Sequence, residues 1–217
     1  KTHGVSPSIM DREECLEKIR AVKAGFQGQK LPNVYLLHGS LTDTEMNYLY
    51  NHPKIKSLVS FTHGEGFGRP MLEATMTGLP VIAPNWSGQV DFLDSELSLL
   101  IGGELKPIPE SAVWDNILIK DSKWFNIDEK NAFLAMNFVF SNHNDVSNKA
   151  KKLMNRNIEN FSLEMMTNKF DEIMEKYTAS IQVPQKVEFK LPKLNKSKLP
   201  LPKLKKIEKN TEVVANE

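Results

Sequence analysis

Glu65-Gly-Phe-Gly-Arg-Pro-Met-Leu-Glu73, followed by Gly78-Leu-Pro-Val-Ile-Ala83, is the stretch that decides the fold of this chain. A short apolar run, Ser57-Leu-Val-Ser-Phe61, leads into it through a glycine-rich turn, Gly64 to Gly68. Glycine at 66 and 68 removes the side chains that keep a ligand away from the backbone. Pro70 stands in the first turn of the expected helix and Gly78 just past its end, the usual asymmetry of helix termini. Such a strand-to-helix turn gathers unpaired amides and a positive dipole end at one point, which suits an anion such as a diphosphate. Glu65 lies in the turn and Glu73 about one helical turn in, so both can face one cleft. An ionised carboxylate only accepts hydrogen bonds, and it holds sugar hydroxyls strongly.

Outward from this stretch, strand-like and helix-like segments alternate. Asp11 to Gly25 carries Cys15, Leu16, Ile19, Val22 and Ala24 at near-helical spacing, with Asp11 as N-cap and Gly25 as stop. Val34-Tyr-Leu-Leu37 reads as a buried strand ending in His38-Gly39. Thr42 and Glu45 form a capping-box pattern at the head of a helix over 42–51. Strands are expected at 57–61, 81–83 and 99–101, helices at 70–77 and 87–92. That order predicts an α/β fold with a Rossmann-like parallel sheet covered on both faces. Ligands of such sheets bind beyond the carboxyl ends of the strands. The turns that matter are then His38–Leu41, His63–Gly68 and Pro84–Gly88.

Residues 102–125, with Pro107, Pro109, Trp114 and Trp124, read as irregular. Three helices are expected after them, at 128–140, 145–157 and 162–177. Leu163, Met166, Phe170, Ile173, Met174 and Tyr177 form one stripe on the last, predicted to pack in the core. From Thr178 onward there are nine Lys and four Glu, together with Leu-Pro-Lys-Leu near-repeats. This gives a domain at 1–177 and a Lys/Pro-rich tail at 178–217, expected to be disordered, whose basic character offers contact with an anionic membrane. The whole chain carries a net charge of only +1, which gives no electrostatic case for nucleic acid. The single cysteine, Cys15, excludes an internal disulfide and fits a reducing, cytoplasmic compartment. No apolar run approaches the ~20 residues of a membrane-spanning helix. No Cys/His spacing predicts a metal.

Glu65, Gly66, Phe67, Gly68, Pro70, Leu72, Glu73, Ala74, Gly78, Pro80, Val81 and Ile82 together resemble the signature of the family 4 retaining glycosyltransferases. The same pattern marks GT-B donor domains more widely. The likeness spans roughly Lys1 to Tyr177 and is strongest from Leu31 to Leu93; Ser87-Gly-Gln-Val-Asp91 stands where the family often has Gly-x-x-Glu. The resemblance implies transfer of a sugar from a nucleoside-diphosphate sugar to an acceptor, with retention and without cofactor or metal. It implies Glu65 as the catalytic carboxylate beside the transferred sugar and Glu73 on the nucleotide ribose. The backbone of Gly66, Phe67 and Gly68 would contact sugar and diphosphate. His63 and Gly39 border the same cleft. His63 is there as a ligand or a packing residue, and Arg69 either reaches the phosphates or forms a surface ion pair.

The family also has a basic pair and an acceptor domain ahead of this region. Lys1-Thr2-His3-Gly4 reads as the end of a strand, so the chain is expected to be a fragment with both of these preceding Lys1. A non-catalytic nucleotide-sugar-binding module is the nearest alternative. A nicotinamide-dependent Rossmann enzyme is a further one, although no Gly-x-Gly-x-x-Gly opens a first βαβ unit.

Overall fold

The computed structural model describes residues 1–2, 6–26 and 28–179. Three short runs, β1 (Leu58–Val59), β2 (Val81–Pro84) and β3 (Leu99–Ile101), form a parallel sheet in that order. Six helices accompany them among the described residues: α1 (Ile9–Ala24), α2 (Asp43–Tyr50), α3 (Arg69–Met76), α4 (Glu129–Ser141), α5 (His143–Phe161) and α6 (Leu163–Thr178). The fold is therefore mixed α/β. α3 links β1 to β2, and a turn of 3-10 helix at Gly88–Asp91 lies between β2 and β3.

β2 is buried along its whole length. Successive side chains point to opposite faces of a strand. Val81 and Ala83 enter one cluster with Met71, Leu72 and Ala74 of α3 and Leu153 of α5. Ile82 enters another with Ile101, with Ala132, Ala135 and Val139 of α4, and with Val146 of α5. The sheet is thus covered on both faces, as the continuous apolar run in its sequence predicts. Asn157 of α5 is fully buried and its Nδ2 donates to Thr75 Oγ1 of α3 at 2.8 Å and to Phe92 O at 3.3 Å.

Local signals account for most helix starts. Thr42 and Glu45 make the full capping box, Thr42 Oγ1 accepting from Glu45 N–H while Glu45 accepts from Thr42 N–H. The backbone N–H of Thr42 holds the Glu45 carboxyl below the usual carboxylate range. Asp128 caps α4. α1 is capped by Ser8, three residues before the expected Asp11, because the Ser8 hydroxyl is free to accept from Asp11 N–H. Gly25 ends α1 in a right-handed conformation rather than as a left-handed stop.

Three other expectations change. Val34–Leu37 is not a strand: among the described residues the pairing beside it is a parallel bridge between Thr2 and His38, with Thr2 N–H donating to Leu37 O. Tyr35 is 86 % exposed there, and without a neighbouring ladder an apolar run gains nothing from extension. Residues 102–125 are not wholly irregular. β4 (Gly103–Pro107) pairs antiparallel with β5 (Lys123–Ile127), the two separated by a connection that includes 3-10 residues Glu110–Ala112. The α6 stripe does not pack: no residue of that helix is buried, and Leu163 is 86 % exposed. Its amphipathic pattern has no apolar surface against it among the described residues.

The chain divides into two units, Lys1–Ile173 and Met174–Glu217. Of the second, Met174–Ala179 are described, comprising the end of α6 and Ala179. The expected disordered tail otherwise lies outside the described residues. Among the described residues no helix is long and apolar enough to cross a membrane.

Phe92 is fully buried, and its ring meets those of Phe67 at 5.2 Å and Phe161 at 6.1 Å. Phe92→Ala is expected to lower unfolding stability by about 3–5 kcal/mol, as a large core aromatic does. Urea denaturation followed by circular dichroism measures it.

Candidate functional site

β1 and β2 run parallel, so the turns that follow them emerge at the same edge of the sheet. The turn after β1 carries Glu65–Gly68 and the turn after β2 carries Ser87–Gly88. They touch backbone to backbone. A Cβ on Gly88 would stand 2.2 Å from Gly66 O, so only glycine fits that contact. Gly88 N–H donates to Glu65 O at 3.0 Å. Ser87 Oγ donates to the same carbonyl at 2.6 Å and accepts from Glu65 N–H at 3.3 Å.

Gly68 is the N-cap of α3, at φ 88°, and supplies no side-chain cap. A Cβ there would lie 2.8 Å from Met71 Cε, and the left-handed backbone would be strained as well. The helix end differs from expectation in one respect. Pro70 has no N–H, and the amides of Met71 and Leu72 both turn back to Gly68 O. Around the head of α3, the amides of Gly66, Phe67 and Gly68 in the turn, and that of Arg69, donate to no group among the described residues. The phenyl ring of Phe67 leans on Phe92 and Phe161 and anchors the turn to the core.

The two carboxylates sit in different surroundings. Glu65 is half-buried, and its carboxylate makes no hydrogen bond or ion pair among the described residues. Glu73 is gripped from two sides: Arg69 Nε donates to Oε1 at 2.6 Å and Tyr50 OH reaches Oε2 at 3.5 Å. Arg69 is therefore the helix-face ion pair of the two roles open to it. The guanidinium is mostly exposed, so the pair adds little stability. Tyr50, buried at the end of α2, has its phenol pushed up to about 12, chiefly by burial and then by the Glu73 charge.

His63 is held by the β4–β5 hairpin. Its Nδ1 lies 2.8 Å from Phe125 O, Phe125 N–H donates to His63 O, and its ring stacks on Trp124 at 4.1 Å. A carbonyl only accepts, so Nδ1 carries the proton and Nε2 of the neutral ring is left as an acceptor. Trp86 stacks on Phe125, which makes it a packing residue of the same wall. A cleft of about 860 Å³ opens beside His63, bounded by Phe61, Lys106, Trp124 and Phe133; neither Glu65 nor Glu73 lines it. The glycine turn is marked instead by the left-handed Gly68 and by amides that are open among the described residues.

Gly39, at φ 101°, belongs to another neighbourhood. Beside it His38 Nε2 lies 2.7 Å from Asp11 Oδ2, both side chains less than a tenth exposed. No hydrogen bond or ion pair joins this pair to the Glu65–Glu73 segment among the described residues. Asp11, Cys15 and His38 are the one group of three metal-capable side chains among the described residues, with ligand atoms within 4.8 Å of one another. The Asp11–His38 separation is that of a hydrogen bond. Two such donors on one tetrahedral zinc, each at about 2.0–2.1 Å, would lie roughly 3.3 Å apart. The pair ties α1 to the residue before Gly39.

Glu65 to Glu73 and His63 are thus brought together at one sheet edge, and Gly39 is not joined to them. The sequence had flagged the Pro84–Gly88 turn but not the individual roles of Ser87 and Gly88. Tyr50 and the aromatic residues of the hairpin were not signalled. A serine and glycine one strand away from a glycine-rich turn were the available clue. No family model matches this chain, and no curated protein matches it.

Two measurements check this geometry. Nitrogen NMR of His63 should show the Nδ1-protonated tautomer. For Tyr50, the folded pKa lies above the ordinary value near 10, so the stability it contributes is full below pH ~10 and falls as pH rises towards 12. The melting temperature of the unaltered protein should therefore fall more across that window than that of Tyr50→Phe.

Proposed function

We propose that this chain is the donor-binding half of a GT-B-type retaining glycosyltransferase, with a Rossmann-like core, and that a nucleoside-diphosphate sugar sits on the Glu65–Glu73 turn. The observation that carries the proposal is the Gly66–Gly68 backbone: three amides without a partner among the described residues, in the turn after β1 and at the head of α3. Amides so arranged bind a diphosphate, and the helix dipole adds to them. The family 4 resemblance of the same residues supports the reading.

The side chains then divide the work. Glu73 has each carboxylate oxygen engaged once, by Arg69 and by Tyr50. A carboxylate offers about four acceptor positions. One place remains on each oxygen, which suits the two neighbouring hydroxyls of a ribose. Glu65, uncommitted beside the turn, accepts hydroxyls of the transferred sugar. Departure of the nucleoside diphosphate leaves negative charge on phosphate oxygens, and fixed dipoles aimed at that charge lower the barrier. His63 Nε2 accepts a further hydroxyl at the mouth of the site.

One observation favours a second reading, binding without transfer. Arg69, the one cation within the motif, is bonded to Glu73 rather than turned to the glycine loop. The acceptor, the acceptor domain, a cytoplasmic setting and membrane contact through the Lys/Pro-rich segment belong to the same proposal.

Calorimetry with UDP and GDP, paired with transfer and hydrolysis assays on UDP-glucose and GDP-mannose, tests both readings. Glu73→Gln should weaken diphosphate binding roughly tenfold, the worth of one hydrogen bond to a charged group. Glu65→Gln should leave that binding nearly unchanged and abolish turnover in the full-length enzyme, where the acceptor domain is present. Donor binding with no turnover by the unaltered full-length enzyme, acceptor domain included, selects the second reading, and no binding of either nucleotide overturns both.

A further inference from the structure

Ser87 holds a backbone conformation, φ 72° and ψ −160°, that is essentially reserved for glycine. Glycine would sit there without strain. What serine adds is a hydroxyl, and both hydrogen bonds of that hydroxyl go to the backbone of Glu65. Together with Gly88 N–H, Ser87 Oγ occupies both acceptor positions of the Glu65 carbonyl. The peptide that follows is planar and trans, so its N–H points away from its C=O. Fixing Glu65 O towards Ser87 and Gly88 therefore turns Gly66 N–H to the opposite side, away from the 84–88 turn.

We infer that Ser87 is a positioning residue, which holds the Glu65–Gly66 peptide so that Gly66 N–H is presented to the diphosphate of the donor. The inference rests on the donor-site reading for its ligand, but the hold on Glu65 is a property of the free protein. The hydroxyl of Ser87 is spent on the Glu65 backbone. It acts through one peptide plane, and the strained backbone is maintained by the contact of Gly88 with Gly66. The absence of a Cβ on Gly88 brings the two turns close enough for the hydroxyl to span them.

Two variants separate the hydroxyl from the strain. Ser87→Ala keeps the strained backbone and loses the hydroxyl; Ser87→Gly loses both. Amide hydrogen exchange of Glu65 is read in the free protein, and UDP and GDP binding is read by calorimetry and by the shift of the Gly66 amide signal. Both variants should speed Glu65 exchange and weaken nucleotide binding, each roughly 3–10-fold, the size of one net hydrogen bond. Ser87→Gly should melt above Ser87→Ala, since it relieves the strain. If Ser87→Ala does not fold, Ser87→Gly carries both readouts. Wild-type exchange and affinity in the variants would overturn the inference. So would exchange that speeds while affinity holds, because the hydroxyl would then be structural only. If the unaltered protein binds neither nucleotide, the donor-site reading fails and with it the role of Gly66 N–H. The exchange arm then still decides whether Ser87 holds Glu65.

Discussion

Four residues, Val81 to Pro84, have no side turned to water, and the rest of the described structure is arranged around that fact. A strand buried on both faces needs an apolar layer on each. α3 and α5 supply one through Val81 and Ala83, and α4 supplies the other through Ile82. It also needs hydrogen-bonding neighbours on both edges, because unpaired buried backbone is costly. β1 and β3 provide them, both parallel to it. Parallel pairing has a geometric consequence: the loops leaving β1 and β2 begin side by side. The contact between the glycine turn and the Ser87–Gly88 turn follows from the pairing of the strands.

That contact is also where the backbone is least relaxed. Gly68 and Ser87 both have positive φ, and Gly88 has no room for a side chain. Gln89, next along, is fully buried, with Nε2 donating to Pro84 O and its Oε1 without a partner among the described residues. Strain of this kind persists only where the surroundings over-determine it. Here they do so through the Phe67, Phe92 and Phe161 rings on one side and the stacked pairs His63–Trp124 and Trp86–Phe125 on another. The hairpin of β4 and β5 is part of that enclosure, since Phe125 exchanges hydrogen bonds with His63.

What the sequence made legible follows the range of the interactions. Thr42 with Glu45, Asp128, and the Pro70–Gly78 bracket are local, and they place α2, α4 and α3 to within a residue or two. The apolar runs at 81–83 and 99–101 appear as β2 and β3, the first buried throughout and the second half-buried up to a buried Ile101. Val34–Leu37 is just as apolar, but strand formation needs a partner that no local pattern reveals. β4 and β5 fail in the other direction: Gly103-Glu-Leu-Lys-Pro107 looks unlike a strand, and it becomes one through pairing with Lys123–Ile127. Periodicity showed that α6 has an apolar face. It did not show whether anything lies against it. Within the site, the order of residues located Glu65 to Glu73 directly. Tyr50 and Ser87 lie 23 and 22 residues from the glutamates they touch, and only the folded chain shows those contacts.

The two glutamates of the motif illustrate how one residue type is given two tasks by its surroundings. Glu73 sits within α3, where Arg69 is one turn back on the same face and Tyr50 approaches from α2. Both partners donate, and a carboxylate met by donors on each oxygen has its plane set before any ligand arrives. Glu65 lies in a turn whose peptide is fixed by Ser87 and Gly88, while its carboxylate has no partner among the described residues. Its backbone is held, and no donor among the described residues sets the plane of its carboxylate. A preset carboxylate favours recognition of a rigid group with fixed hydroxyl spacing, as in a ribose, because little ordering entropy is lost on binding. A carboxylate that no donor holds, on a fixed backbone, keeps all its acceptor positions for hydroxyls of a bound group. The division of roles proposed for Glu73 and Glu65 therefore rests on what each carboxylate touches, independently of the family resemblance.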